Sequence, residues 1–520
     1  MKSLPTSHFL ITWALLAIVS GTCCANEATS DRKPNVVVFM IDDLGWQDLS
    51  LALGPEVTSF NRRYRTPNVE RLARNGTTFT DAYSASPVCT PSRTAFMTGL
   101  HPARTGITYW TLRADSDTSS RHPGLKQPPW RLKGLDDRDI TLAKLLRDSG
   151  YRTIHVGKAH FGAIGTPGED PTNLGFDVNV AGHAPGGPGS FYGIHDFGAM
   201  KRQGKDGPSV WDVPGLESVH GQDVYLTEVL AERATDEIDQ ALEANRPFFL
   251  HFAPYAVHAP IMANHRHLHR YQDLHPREAA YATMIESMDS AIGHVLDHLE
   301  DLDLLEETLI VFASDNGGLS AHARGGERHI HNAPLRSGKG SAYEGGVRVP
   351  LIVSAANQEN PRGRRISTPV SVIDLFPTIL EMTSTPAPPD HLDTIDGTSL
   401  AGIITDNPIS PRPADDRILA WHMPHQWGAS GPGIEPFTSI RRGSWKLLYF
   451  HHGPRIELYD LAADLSETRD LASERPAIAE RLLDDLQAWI EDTGADLSID
   501  TATNTEITSP ADFARTMNRN

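Results

Sequence analysis

Three apolar runs divide the first two thirds of the chain, at Asn35–Ile41, 247–252 and 308–313. Continuous β-branched and aromatic runs of this length are typical of buried parallel strands. Helical spacing of apolar residues fills the intervals, at 66–73, 142–146 and 284–299. Strands that alternate with helices predict an α/β fold with a large, doubly wound, parallel or mixed sheet flanked by helices.

The pattern changes after residues 406–416, a stretch rich in proline and aspartate. Strand-like runs at 438–449 and 456–459 flank a turn at Gly453-Pro454, and a helical pattern covers 476–492. We predict a large α/β domain over 26–410 and a smaller C-terminal domain over 411–520, built from an antiparallel sheet with a packed helix.

The N-terminus has a short basic start, an apolar stretch from Phe9 to Val19 and small residues up to Ala25. This pattern predicts a signal peptide over 1–25 and a secreted or periplasmic protein, with a short membrane anchor as the alternative. Cys23 or Cys24 could accept a lipid, but the residues before them fit a lipoprotein processing site poorly. No later stretch is long and apolar enough to span a bilayer, so no transmembrane domain is expected in the mature chain.

The formal charge of -19 argues against a nucleic-acid partner, since such proteins use a basic surface to contact phosphates. An anionic substrate would therefore need a few cations placed locally in a pocket. Segments 162–214 and 423–436 are rich in glycine, proline, histidine and aromatic residues without periodicity. We interpret them as long loops over a functional site.

Acidic or amide side chains directly follow two of the predicted strands, Asp42 and Asp43 after the first and Asp315 and Asn316 after the third. Ligands of open α/β sheets bind beyond the carboxyl ends of the strands. Oxygen ligands suit Ca²⁺ better than zinc, with Mg²⁺ also possible. The alternative for either pair alone is that it caps a helix or faces solvent.

Cys89 is the only cysteine outside the N-terminal segment, and it opens the run Cys89-Thr90-Pro91-Ser92-Arg93. Alone it would be interpreted as a buried, inert thiol. The run resembles the signature of the formylglycine-dependent sulfatases, arylsulfatase-like members of the alkaline phosphatase superfamily. The segments that extend the resemblance are Asp42-Asp43-Leu44-Gly45, Gly157-Lys158-Ala159-His160, His258-Ala259-Pro260, Ser314-Asp315-Asn316-Gly317-Gly318 and 334–350.

This resemblance implies that Cys89 is oxidised to formylglycine (3-oxoalanine) by a formylglycine-generating or anaerobic sulfatase-maturating enzyme. It implies that a hydroxyl of the hydrated aldehyde attacks the sulfur of a sulfate ester. Arg93 would hold this nucleophile, Lys158 and Lys339 would neutralise and bind the sulfate, His258 would protonate the leaving alcohol, and His160 would position or activate the nucleophile. The implied metal ligands are Asp42, Asp43, Cys89, Asp315 and Asn316.

The predicted substrate is a sulfated small molecule or glycan, in particular a terminal galactose or N-acetylgalactosamine sulfate. The run Trp421-His422-Met423-Pro424-His425-Gln426-Trp427 offers aromatic faces and polar groups that suit stacking and hydrogen bonding to a sugar. His422 and His425 are therefore candidate substrate-binding residues, together with Lys158, His258 and Lys339. Packing of a domain interface is the alternative for these two. Two other functions remain open, a phosphonate or phosphate ester hydrolase of the same superfamily and a catalytically dead glycan-binding homologue. The sulfate position and the oligomeric state also stay open.

Overall fold

Eight strands build a mixed central sheet in the computed structural model, which describes Met1 and residues 33–320, 324, 327–356, 361–407, 409–410 and 412–517. In chain order the strands are β1 Asn35–Ile41, β2 Thr77–Phe79, β3 Arg152–Gly157, β4 Val178–Val180, β5 Phe248–Ala253, β6 Thr308–Ser314, β7 Leu351–Ser354 and β8 Arg364–Ile366. Their spatial order is β8-β2-β7-β6-β1-β5-β3-β4. The predicted signal peptide, with Cys23 and Cys24, lies outside the described residues.

The centre of this sheet is parallel, because β1 pairs in parallel with both β5 and β6 and β3 pairs in parallel with β4 and β5. Only β7 runs against its neighbours β2 and β6. The register aligns Ile41 with Ser314, the last residues of β1 and β6. The residues that follow these two strands are therefore brought to the same edge of the sheet.

Helices cover both faces of the sheet, as the predicted doubly wound fold requires. Alternate residues of β1 enter separate cores, with Val37 and Phe39 on one face and Val36 and Val38 on the other. The long helix Pro276–Asp301 packs on the first face, and the helix Cys89–Thr98 packs on the second. The predicted α/β fold class is confirmed.

The remaining α-helices and 3₁₀ turns complete this layered arrangement. The other α-helices are Ser59–Arg63, Pro67–Asn75, Pro102–Thr105, Leu142–Asp148, Ala199–Arg202, Leu226–Glu243, Glu344–Val347, Leu375–Met382, Pro389–Leu392, Ala401–Ile404, Pro476–Thr493 and Pro510–Met517. The 3₁₀ turns are Pro167–Glu169, Pro171–Leu174, Gly193–His195, Glu217–Val219, Leu268–Arg270, Leu305–Glu307 and Val372–Asp374. No helix among the described residues is long and apolar enough to cross a membrane.

The C-terminal part holds a four-stranded antiparallel sheet of β9 Ile418–Met423, β10 Phe437–Arg442, β11 Trp445–Phe450 and β12 Arg455–Asp460. The apolar run predicted as one strand is two, because Gly443 adopts a left-handed φ of 59° in the tight turn between β10 and β11. Residues from Pro34 onward form one compact unit, so the division at 410/411 stays a prediction. Two small sheets pair Ala82–Tyr83 with Val370–Ser371, and Ile499–Asp500 with Leu125–Lys126 and Thr505–Glu506.

Candidate active site

A set of buried carboxylate and amide groups lies directly after the ends of two neighbouring strands. We call this set the strand-end cluster: Asp42, Asp43, Asp315 and Asn316. Asp42 and Asp43 follow β1, while Asp315 and Asn316 follow β6. The amide N–H of Asp43 donates to Asp315 Oδ1 at 3.2 Å, and Asn316 Nδ2 donates to Asp43 Oδ1 at 2.8 Å. All four side chains are inaccessible to solvent.

Three oxygen atoms of this cluster, namely Asp42 Oδ2, Asp43 Oδ2 and Asn316 Oδ1, have no hydrogen-bond donor among the residues that the structure describes. Buried oxygens without partners are costly, and a bound hard cation would satisfy them. One ligand atom from each of Asp42, Asp43, Cys89 and His258 lies within 4.8 Å of the others. The donor set therefore fits Ca²⁺ or Mg²⁺.

Cys89 begins the helix Cys89–Thr98, whose ten residues are all buried. Its Sγ lies 3.1 Å from Lys339 Nζ and 4.0 Å from Asp42 Oδ1. Burial raises the pKa of the Cys89 thiol to about 11, so the unmodified side chain is protonated at neutral pH. A protonated thiol is a poor nucleophile.

Three cations surround the carboxylates. Lys158, the residue after β3, places Nζ 2.7 Å from Asp42 Oδ1, and Lys339 places Nζ 2.6 Å from Asp43 Oδ1. Arg93 lies one turn into the helix that begins at Cys89, and its Nε donates to Asp315 Oδ2 at 2.7 Å. Each of the three cations is buried and forms an ion pair with a carboxylate of the strand-end cluster.

The pKa values of the two aspartates after β1 are shifted in opposite directions. Burial, offset in part by Lys158, raises the pKa of Asp42 to about 7. Burial is also the largest influence on Asp43 and would raise its pKa, but Lys339 and the other nearby positive groups together outweigh it and lower the pKa of Asp43 below its ordinary value. Although burial opposes it, Asp43 in turn raises the pKa of Lys339, so this pair is held charged.

His258 lies at the open side of the site, with about 23% of its side chain exposed. Nδ1 donates to Ala259 O at 2.6 Å, which leaves Nε2 as the free ring nitrogen, 3.7 Å from Asp43 Oδ2. Burial lowers the pKa of His258 to about 3, so its ring is neutral in the free site. The charge of a bound anion would raise this pKa.

His160 is buried more deeply. Its Nε2 donates to Thr111 O at 2.9 Å, and its Nδ1 has no partner within the described part of the chain. Gly186 and Gly187 lie against the two site histidines, since a Cβ on Gly186 would lie 2.5 Å from His160 Nδ1 and one on Gly187 2.7 Å from His258 Nδ1. Sequence reasoning missed both glycines, although a Gly-Gly pair within a long loop signals close approach of the backbone.

An aromatic wall, which we define as Tyr109, Trp110 and Trp427, extends from the site. The ring of Trp110 lies 6.3 Å from that of His160, and the ring of Trp427 lies 5.7 Å from Lys339 Nζ. Tyr109 lies between the two tryptophans, at 6.4 Å and 5.9 Å from their ring centres. Tyr109 and Trp110 lie in a loop after the helix Pro102–Thr105 without a recognisable sequence pattern, so neither is predictable as a site residue from the sequence.

The two candidate sugar-binding histidines lie apart from each other. His425 is buried, stacks on Tyr109 of the aromatic wall at 4.7 Å and bonds Thr108 Oγ1 through Nε2 at 2.8 Å. His422 lies inside β9, where its Nδ1 and Thr438 Oγ1 are 2.8 Å apart. The structure thus places His425 against Tyr109 of the aromatic wall, while His422 lies within the C-terminal sheet.

Comparisons with known proteins agree with this geometry. Residues 34–385 match the family model described as "Sulfatase". The chain belongs to the sulfatase family. Residues 338–493 also match the C-terminal model "N-sulphoglucosamine sulphohydrolase, C-terminal". The predicted membership of this family within the alkaline phosphatase superfamily, and with it the class of sulfuric ester hydrolases, is confirmed.

The relatives of this sulfatase include a "Sulfatase" of Formosa agariphila, 28% identical over 91% of this chain and 92% of its own length. An N-acetylgalactosamine-6-sulfatase of Canis lupus familiaris is 32% identical over 76% of this chain and 72% of its own. Among solved structures, Ps i-CgsB has a TM-score of 0.71 at 28% identity, covering 89% of this chain and 94% of its own.

Proposed function

We propose that this sulfatase hydrolyses sulfate monoesters of glycans through a formylglycine derived from Cys89 and a divalent cation. One observation carries the proposal: Cys89 Sγ lies 3.1 Å from Lys339 Nζ and 4.0 Å from Asp42 Oδ1, beside buried oxygens that lack donors. A purely structural cysteine would not need such surroundings. A protonated thiol also leaves the chemistry to a modified side chain.

The cation would be held by Asp42, Asp43, Asp315, Asn316 and the side chain at position 89. Ca²⁺ is the first candidate and Mg²⁺ the second, because the donors are hard oxygens. When bound, the cation supplies Lewis-acid chemistry, which lowers the pKa of a hydroxyl and stabilises developing negative charge. The three donor-free oxygens support this assignment.

Formylglycine, when hydrated, supplies a hydroxyl nucleophile at position 89. Around it, Lys158 and Lys339 neutralise the sulfate oxygens, and Arg93 holds the nucleophile through its place one helical turn from residue 89. His258 is the proton donor to the leaving oxygen. Nε2 of its partly exposed side chain gains a proton once the anionic substrate raises the pKa of His258. His160 positions the nucleophile through Nδ1, which has no hydrogen-bond partner among the described residues.

The deciding experiment pairs mass spectrometry with matched ester assays. Active protein is expected to show, in the peptide with residue 89, loss of sulfur and two hydrogens with gain of one oxygen. Cys89→Ala should keep the fold and lose turnover. Full activity in wholly unmodified protein would rule out the mechanism. Faster hydrolysis of an aryl phosphate or phosphonate than of the matched aryl sulfate would favour the phosphonate or phosphate ester hydrolase instead.

Glycan substrates are supported by the relatives' names and by the aromatic wall. One relative is named N-acetylgalactosamine-6-sulfatase, and a structure of Ps i-CgsB, 26% identical to this chain with a TM-score of 0.70, is a complex with k-i-k-neocarrahexaose. Partly exposed tryptophans beside Lys339 and His160 suit the apolar face of a sugar. We propose a terminal galactose or N-acetylgalactosamine sulfate, to be sought in a screen of defined sulfated saccharides.

Replacement of His425 tests sugar recognition. His425→Ala removes the ring that stacks on Tyr109, so kcat/KM should fall several-fold more for a sulfated saccharide than for an aryl sulfate. His422→Ala should have the smaller effect, because its ring bonds Thr438 within the C-terminal sheet. His298→Ala, on the long helix, is the control. Equal losses on both substrates would count against this role for His425.

Export and maturation complete the proposal. We propose cleavage after Ala25, delivery to the periplasm or exterior, and modification by a formylglycine-generating or anaerobic sulfatase-maturating enzyme. N-terminal sequencing of the exported protein checks the cleavage. Saccharide binding without turnover by correctly modified protein would instead identify a catalytically dead glycan-binding homologue.

A further inference from the structure

An open polar cavity of about 270 Å³ adjoins the aromatic wall, because Tyr109 Oη donates to the backbone oxygen of its lining residue Gln426 at 3.1 Å. Its lining includes Arg121, His122, Gln426, Ser430 and Glu435. The N–H of Ser120 donates to Gln426 O at 3.1 Å and so joins the two segments that form it. Because Gln426 directly precedes Trp427 in the chain, the segment that lines the cavity also carries the ring that lies 5.7 Å from Lys339 Nζ.

The charges of the cavity are unequal. Glu435 is engaged by Arg455, whose NH1 donates to its Oε2 at 3.0 Å. Arg121 is exposed, and within the described part of the chain its side chain has no ion pair or hydrogen bond. The cavity therefore presents a free guanidinium beside a carboxylate that is already neutralised.

His122 adds a hydrogen-bond donor. Its Nδ1 accepts from the N–H of Gly124 at 3.1 Å, so the proton of the neutral ring lies on Nε2. The ring of His452 lies 4.5 Å from that of His122. A cation with adjacent N–H donors is the arrangement that recognises sulfate or carboxylate groups.

We infer that this cavity binds a second anionic substituent, a sulfate ester or a carboxylate, on a sugar that neighbours the one desulfated. The inference rests on the proposed glycan sulfatase function. It extends that function from a single sulfated sugar to an oligosaccharide with at least two anionic groups. In a chain with a net charge of -19, a free arginine beside the site directs such a substrate locally.

The test compares kcat/KM of the mature enzyme and of Arg121→Ala on three disaccharides. One carries a single sulfate, one carries a second sulfate on the neighbouring sugar, and one carries a uronate there. We expect Arg121→Ala to lose about tenfold on one or both dianionic substrates, mostly in KM, and less than about twofold on the monosulfated one. The affected substrate identifies the bound group as sulfate or carboxylate.

Arg481→Ala serves as the matched control, since Arg481 is exposed on the C-terminal helix and does not line the cavity. Arg121→Lys should restore part of the loss, because lysine keeps the charge without the planar fork. Equal losses on all three disaccharides, or no loss on either dianionic one, would overturn the inference. Wild-type turnover of the monosulfated substrate reports separately on the proposed function.

Discussion

Two buried groups of polar and charged side chains each include an aspartate from the segment after β1, and they are built differently. The strand-end cluster comes directly after the strand. The second group, which we call the arginine cluster, comprises Asp48, Tyr64, Glu278, Tyr281 and Arg324. In the arginine cluster Arg324 bonds Asp48 Oδ1 at 3.1 Å and Glu278 Oε1 at 2.9 Å, and Tyr281 donates to Asp48 Oδ2 at 2.7 Å.

Every carboxylate oxygen of the arginine cluster has a donor, whereas the strand-end cluster leaves three oxygens without one. Burial removes both groups from water at a cost in free energy. The arginine cluster satisfies all its carboxylate oxygens with protein donors, whereas the strand-end cluster keeps three unsatisfied oxygens although Lys158, Lys339 and Arg93 pair with its carboxylates. The difference separates a structural network from a ligand site. Buried charge alone does not indicate function, while unmet hydrogen-bonding capacity does.

The largest expected effect comes from breaking the strand-end cluster. Asp315→Ala removes a proposed metal ligand and the acceptor of Arg93 Nε, so bound metal should be lost and kcat/KM should fall at least about a thousandfold. Elemental analysis and aryl sulfate turnover measure both. Asp315→Asn, which preserves shape, should also lose metal. Stoichiometric Ca²⁺ or Mg²⁺ in either folded variant would refute the assignment.

Breaking the arginine cluster should damage stability instead. Asp48→Ala leaves Arg324 buried and short of a partner, so the free energy of unfolding should fall by about 3–5 kcal/mol. Metal content should be retained. Denaturant unfolding measures the change, and Asp512→Ala, whose partner Arg515 is exposed, should change it by less than about 1 kcal/mol. Loss of metal without loss of stability in Asp48→Ala would contradict the structural role of the arginine cluster.

Acid should weaken the arginine cluster through Glu278. Burial alone would raise the pKa of Glu278, but Arg324, Tyr64 and Arg63 together outweigh it and lower the pKa from its ordinary 4.5 to about 2. A depressed carboxyl pKa stabilises the fold above pH 4.5, and this contribution, roughly 3 kcal/mol at most, disappears as the pH falls towards 2. Glu278→Gln should flatten the pH dependence of stability between pH 5 and 2. An unchanged slope would contradict the assignment.

Metal removal should have the smallest effect on stability. Chelation leaves Asp42, Asp43 and Asp315 with less compensation, while saturating Ca²⁺ at a hundred times its Kd would stabilise the fold by about 2.7 kcal/mol. Thermal unfolding of wild type with and without Ca²⁺ measures the shift. Asp315→Ala should show none, and Asp48→Ala should show the full shift from its lower starting point.

Much of the strand-end cluster was predictable because its residues lie in short segments next to strands. Asp42 and Asp43 follow the apolar run of β1 directly, and parallel strands place such residues at one edge of the sheet. The aromatic wall was not predictable in this way. Tyr109 and Trp427 are more than 300 residues apart in the chain, and no local sequence pattern around either residue predicts that their ring centres lie 5.9 Å apart.

The sequence by itself determined the alternation of strands and helices, the lone cysteine in its signature, and the residue types that could hold a cation and a sulfate. These are properties of neighbouring residues and of hydrophobic period. The tertiary structure alone decided that β7 runs antiparallel, that His422 contacts the C-terminal sheet while His425 stacks behind the wall, and which buried oxygens lack donors. Those outcomes depend on contacts between residues that are far apart in the chain, and close packing of the folded protein determines these contacts.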